Sequence, residues 1–180
     1  MKTTTDQVRF IVRAKATPAG SKRAFYVTKK NAAKGRVVLT DQTGKRGKAW
    51  RTEVQVEANG AMRGRKPLTG PLSVGLKFVI ARPKSHYVGG KRTNPLKEGA
   101  PLSHMQTPDA LKLARAVEDA LTGIVYVDDK QIISETIRKE WGDEDVCLIV
   151  VTDLTRRYEE FKALGSEGTY AGTLAPDEAI

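Results

Sequence analysis

Residues 7–13, QVRFIVR, alternate polar and apolar side chains, the period-two pattern of a strand with one buried face, and Pro18 and Gly20 end the run in a turn. The stretch that follows, PAGSKRAFYVTKK, is basic with Phe25 and Tyr26 interleaved, and GRVVLTDQTG, 35–44, reads as a short strand entering a turn. From Lys48 to Met62 the period changes: Trp50, Val54, Ala58 and Ala61 recur at helical spacing, with Arg51, Glu53 and Glu57 elsewhere on the circumference. PLTGPL, 67–72, is turn chemistry, and SVGLKFVIARP, 73–83, is dense in apolar and β-branched residues and predicts a strand. Residues 84–107 have no periodicity and several Pro and Gly, which predicts a long basic loop of the functional or disordered kind. Pro108 and Asp109 then open a helix to Leu121. At about 100° per residue, Ala110, Leu113, Ala114, Val117 and Leu121 fall within one arc, and Gly123 supplies the stop. IVYV, 124–127, reads as a short buried strand, DDKQ as a turn, IISETIRKEW as an alternating strand, and VCLIVVTDL, 146–154, as an interior strand. TRRYEEFKAL predicts a short closing helix.

A chain of 180 residues with 39% apolar content can bury one core, so residues 1–164 are expected to form one domain carrying the basic loop 84–107. The remainder, 165–180, has too little apolar content to fold alone and is expected to be a flexible tail. No apolar run approaches the roughly 20 residues that span a bilayer, and MKTTTDQVRF lacks the apolar stretch of a secretory signal. A cytoplasmic protein without a membrane partner is the expectation. Cys147, the only cysteine, lies in an apolar run and predicts a small buried thiol, which excludes internal disulfides and cysteine-rich zinc sites.

Charge changes the picture. Residues 1–104 carry 23 Lys and Arg against 5 Asp and Glu, and residues 105–180 carry 8 against 16, within a formal net charge of +10. Such a basic half is the footprint of a polyphosphate partner, or else a solvated cationic surface. Against that background, TPDALKLARAVEDALTGIVYVDDKQI gathers Asp109, Glu118, Asp119, Asp128 and Asp129. An Arg115–Asp119 pair four apart on the helix would explain Asp119 as surface decoration. Asp128 and Asp129 are either turn formers or, if the chain stays extended there, one of them faces a cleft. Converging carboxylates raise one another's pKa unless a cation joins them, and oxygen-rich sites suit Mg2+ or Mn2+. Metal-assisted phosphodiester hydrolysis is the chemistry that joins such a site to a basic surface.

The chain resembles the RusA-type crossover junction endodeoxyribonucleases, metal-dependent resolvases of four-way (Holliday) DNA junctions. The likeness rests on Pro108–Asp109, Leu113, Asp119–Ala120–Leu121 and Gly123, then Asp128–Asp129 with Gln131, and extends to PAGSKR, Trp50–Arg51 and the phage-like segments ARPKSHY and EDALTG. The resemblance implies an α+β fold, a small mixed, mainly antiparallel sheet flanked by two or three helices. It further implies a homodimer that cuts opposing strands, and a bacteriophage or prophage origin in a bacterial host. The family's metal site carries over as Asp109, Leu111 in place of a second acid, Asp129, and Arg115 in place of a lysine. Glu118 is the candidate substitute for the acid missing at Leu111, giving Asp109, Glu118, Asp119 and Asp129 as metal ligands, with Asp128 and Arg115 joining them as catalytic candidates. Arg115 cannot act as a base and is assigned to phosphate stabilisation.

Lys22, Arg23, Arg82, Lys84, His86, Lys91, Arg92 and Lys112 are the expected DNA contacts, with His86 and His104 otherwise ligands, bases or ordinary loop histidines. The leading expectation is a Mg2+- or Mn2+-dependent nuclease for branched DNA. The alternatives are a DNA-binding relative that has lost cleavage, and an RNA-binding or structural basic protein whose acids are caps and turns.

Overall fold

The structure, a computed structural model, describes residues 7–20, 22–27, 36–41 and 44–163. The expected tail 165–180 lies outside the described residues. In chain order the elements are β1 (Gln7–Val12), β2 (Lys22–Val27), β3 (Arg36–Asp41), α1 (Gly44–Met62), β4 (Leu72–Ala81), α2 (Ala110–Leu121), β5 (Ile132–Gly142), β6 (Val146–Asp153) and α3 (Thr155–Ala163). One sheet has the order β1-β6-β4-β5, and β2 and β3 form a separate antiparallel pair. The class is α+β with a mixed, mainly antiparallel sheet, as expected. The β1–β6 and β6–β4 pairs are antiparallel, and only β4–β5 is parallel. A parallel neighbour needs a crossover connection, and α2 supplies it.

Cross-strand register builds the core in rows. Val8 pairs with Val151 and Val151 with Val74; Phe10–Ile149–Leu76 and Val12–Cys147–Phe78 form the next two rows. All nine side chains are buried on the face that meets the helices. Against it α1 sets Trp50, Val54, Ala58 and Met62, and α2 sets Leu113, Ala114, Val117, Ala120 and Leu121. Helical spacing of apolar residues therefore places both helices correctly, with Met62 rather than Ala61 completing the buried stripe of α1. Cys147 is a buried free thiol whose pKa burial pushes up.

One local expectation is corrected. IVYV, 124–127, is not a strand: the chain turns at Gly123, which sits at φ 80, and Gly123 N–H donates to the Tyr126 carbonyl at 2.7 Å. Val125 and Tyr126 are fully buried, so the run is apolar because it plugs the core, not because it pairs in a sheet; only isolated bridges to Leu68 and Thr122 form. The basic stretch around Phe25 and Tyr26 is strand β2, whose pattern the interleaved cations hid. Loop 84–107 holds two single-turn 3-10 segments and a bridge between Tyr87 and Leu96.

Leu76 is fully buried in the middle row, paired with Ile149. Leu76→Ala is expected to cost roughly 2–5 kcal/mol through lost burial and a residual cavity, read as a lower urea midpoint with unchanged slope.

Candidate functional site

The rows that make the core run on into the edge strand β5. Val74 pairs with Glu135, Leu76 with Ile137 and Phe78 with Lys139, so Glu135 and Lys139 stand on the helix side of the sheet, where Lys139 is half-buried and Glu135, at the sheet edge, is exposed. A register shift at Leu72/Ser73 skips Ile133 and sets this phase; such irregularities re-aim side chains near sites. Above β5 lies α2. Lys139 Nζ donates to the carbonyls of Gln106 and Pro108 at 2.7 and 2.8 Å, which fixes the start of α2 over that end of the strand. From Ala110 to Glu118 the helix rises about 12 Å, and from Lys139 back to Glu135 the strand covers about 13 Å. Glu118 therefore meets Glu135.

The two carboxyls lie within hydrogen-bonding reach of each other. Burial, then the hydrogen bond and charge of Glu135, then the charges of Asp129 and Asp119, push the pKa of Glu118 up from 4.5 to about 8. Glu118, Asp129 and Glu135 line an open cavity of about 350 Å³ together with Lys130, Ile132, Ile133 and Ser134. Lys130 does not neutralise them, because its Nζ pairs with Asp128 at 3.4 Å. Tyr126 braces the helix from below, its buried hydroxyl donating to the Glu118 carbonyl at 3.1 Å. Burial, then the negative charge of Glu118, raises its pKa, so it remains a neutral donor.

The Asp128–Asp129 pair divides its labour. Asp128 caps a short 3-10 turn, accepting from the Lys130 N–H at 3.0 Å, a bond that leads the causes holding its carboxyl below the usual range. Asp129 is the one that faces the cavity. Gln131 locks this turn in place: its Oε1 accepts from the Asp128 N–H at 2.9 Å, and its Nε2 donates to the carbonyls of Leu68 and Gly70 at 3.0 and 2.9 Å.

Of the residues the sequence singled out, Glu118, Asp129 and, through its charge, Asp119 are brought together. Asp109 is not among them: it sits at the far end of α2, ion-paired to Lys112 at 3.2 Å. Arg115 is exposed and its conceivable pair with Asp119 is not formed. Arg82 does not offer its guanidinium to a ligand. It is 9% exposed, donates to the carbonyls of Pro101 and Leu102 at 2.8 and 3.4 Å, and lies 5.4 Å over the Trp141 ring. His86 and His104 pack on the same indole, at 5.2 and 4.0 Å between centroids. Burial, and then the charge of Lys139, lowers the His104 pKa. Lys84 and Lys91 are exposed on the loop, and Arg92 donates to the Asp143 carbonyl. Lys22 and Arg23 begin β2, with side chains outside the described residues.

Glu135 was missed by sequence reasoning. The signal was there: in IISETIRKEW, Glu135 and Lys139 share a face with Ile137 and Trp141, so two charges stand on the apolar side of an alternating strand. Among the described residues, no three His, Cys, Asp or Glu stand close enough together to hold a metal ion as they are placed. The donor chemistry nevertheless fits a hard divalent cation, since facing carboxylates with a raised pKa are groups such an ion would relieve.

Fold and cleft together define a small α+β protein with an acid-lined cavity beside a crossover helix. Residues 15–152 match the family described as Endodeoxyribonuclease RusA, and the chain belongs to that family. It is also similar to a protein of Bacillus subtilis (strain 168) described as "Uncharacterized protein YqaN", 26% identical over 88 residues that make up 49% of this chain and 61% of that protein. No helix among the described residues is long and apolar enough to cross a membrane.

Because the folded pKa of Glu118 is raised, the native state holds more protons than the unfolded chain between about pH 4.5 and 8, and stability falls as pH rises through that window. Glu118→Gln removes this titration. The Tm of the variant minus that of the wild type should therefore grow from pH 5 to pH 8 in metal-free buffer, and a difference flat with pH would show that burial and the neighbouring acids do not raise the Glu118 pKa.

Proposed function

We propose that this protein is a divalent-metal-dependent endodeoxyribonuclease acting on branched DNA, four-way junctions among its substrates. The observation that carries the reading is the uncompensated meeting of Glu118 with Glu135, Asp129 beside them, in a chain whose first 104 residues hold 23 Lys and Arg against 5 acids. Glu118, Asp129 and Glu135 would hold Mg2+ or Mn2+, with Asp119 adding negative charge. Bound there, the ion supplies charge neutralisation at the scissile phosphate and activation of water. Arg115, exposed on the helix and permanently charged, neutralises a neighbouring phosphate. Lys84, Lys91, Arg92 and Lys112 extend that contact along the backbone, which gives affinity without base sequence. Asp109 orients Lys112 through their ion pair. A homodimer would present two such cavities to two opposed strands.

One observation favours a second reading, a junction-binding relative that does not cut. Leu111, where the resemblance expects an acid, is 73% exposed and offers no donor. The experiment that separates the two is a synthetic four-way junction incubated with Mg2+ or Mn2+ alongside a binding titration. Cleavage that Asp129→Asn reduces about 100-fold or more, with binding retained, supports the nuclease. Binding by the wild type without product supports the second reading, and full cleavage by Asp129→Asn removes Asp129 from the metal site.

A further inference from the structure

We propose that Leu102 and Met105 form an apolar wedge that inserts into the base stack at a DNA branch point. This rests on the reading of the protein as a binder of branched DNA, but not on its cutting any strand. Leu102 and Met105 are the two most exposed large hydrophobic residues described, at 83% and 84%, and Leu111 follows on the first turn of α2. Scattered exposed leucines are ordinary; the backbone beneath these two is not. Arg82, itself buried, donates to the carbonyls of Pro101 and Leu102, and its guanidinium is held over Trp141. Lys139 donates to the carbonyls of Gln106 and Pro108.

Two charged side chains therefore clamp the segment on both sides of Met105 with charge-assisted bonds, the stronger kind. Leu102 and Met105 are three positions apart, so the two side chains rise from points within about 10 Å. A loop pinned this firmly, with its apolar side chains turned outward, does not fold them away in solution.

The charge around the wedge selects its occupant. Lys84, Lys91 and Lys97 are exposed on the same loop, and Lys112, ion-paired to Asp109, on the first turn of α2, and apolar side chains on a segment with this excess of lysine fit a base step flanked by phosphates. Leu and Met wedges enter such steps by partial unstacking, and unstacking costs least where the stack is already interrupted, as at a branch. The wedge would thus supply the preference for branched over linear DNA that phosphate contacts cannot give.

The test is binding of the whole protein, in buffer without divalent ions so that no strand is cut, to a four-way junction and to a linear duplex of the same sequence. A fluorescent adenine analogue sits at the branch point. The exposed pair is changed together, Leu102→Ala with Met105→Ala, and a conservative exchange, Leu102→Met with Met105→Leu, serves as rescue. The alanine variant should lose roughly tenfold in junction affinity, change duplex affinity less than about twofold, and lose the fluorescence rise that reports unstacking; the conservative variant should keep all three. Unchanged junction affinity, or equal loss on both DNAs, would overturn the wedge. So would a shift from dimer to monomer by light scattering in the alanine variant, which would make a second copy the occupant. Absence of product with Mg2+ counts against the nuclease reading alone and leaves these binding results standing.

Discussion

Hydrogen-bond register across the sheet is the constraint from which the rest follows. Once β1, β6 and β4 align Val8–Val151–Val74 and Val12–Cys147–Phe78, the parallel pairing of β4 with β5 continues those rows to Glu135 and Lys139. A strand cannot move one residue of a row without reversing every side chain in it. The charges are thus carried to the helix side of the sheet by the same register that buries the core. Azimuth on α2 is fixed just as firmly. Seating Leu113 and Leu121 alone stabilises by roughly 3–6 kcal/mol, more than enough to hold Glu118 against a neighbouring carboxyl that protonation can relieve. Lys139 finds two carbonyls; Glu135 finds another acid.

The asymmetry between those two inward charges is what marks the site. An edge strand commonly uses inward charge to discourage pairing with other chains, and Lys139 could be explained that way because its donors are satisfied. Glu135 could not. The stability lost on ionising Glu118 beside it is stored at one place in an otherwise consistent fold, and local inconsistency of this kind concentrates at functional positions.

Much of this was legible in the sequence where a single element carried the information. The stripe of α2 marks its buried face, and the β-branched density of 73–83 and 146–154 marks the interior strands. Asp128 and Asp129 read as adjacent acids with two open roles, and the turn assigns one to each: Gln131 ties Asp128 to the backbone at Leu68 and Gly70, and Asp129 is left facing the cavity. What could not be read depends on distant partners. IVYV has the composition of a buried strand, and only tertiary packing decides that it turns instead. Glu135 acquires its meaning from a helix residue seventeen positions earlier and from a register shift that no local pattern encodes. Arg82 looked like a phosphate ligand because charge is visible in sequence, whereas Trp141 and the Pro101 carbonyl beside it are not.

Loop 84–107 changes character in that light. Its missing periodicity and its Pro and Gly content predicted a loop of the functional or disordered kind, and its two ends are held by Arg82 on Trp141 and by Lys139 under Pro108. Trp141, Lys139 and Glu135 all lie on the helix-facing side of β5, a span of about 20 Å over six residues. Loop anchor, apolar wedge and carboxylate cavity are therefore mounted on one strand, and their separation is set by β-sheet geometry, not by loop flexibility. On the proposed function, a substrate that engages both ends would bring a phosphate to a cation held by Glu118 and Glu135 while yielding a base step about that far away. Linear duplex offers the phosphate at little cost but resists the distortion; a branch offers both. Specificity for DNA shape can thus arise from a rigid spacing, with no side chain reading a base edge.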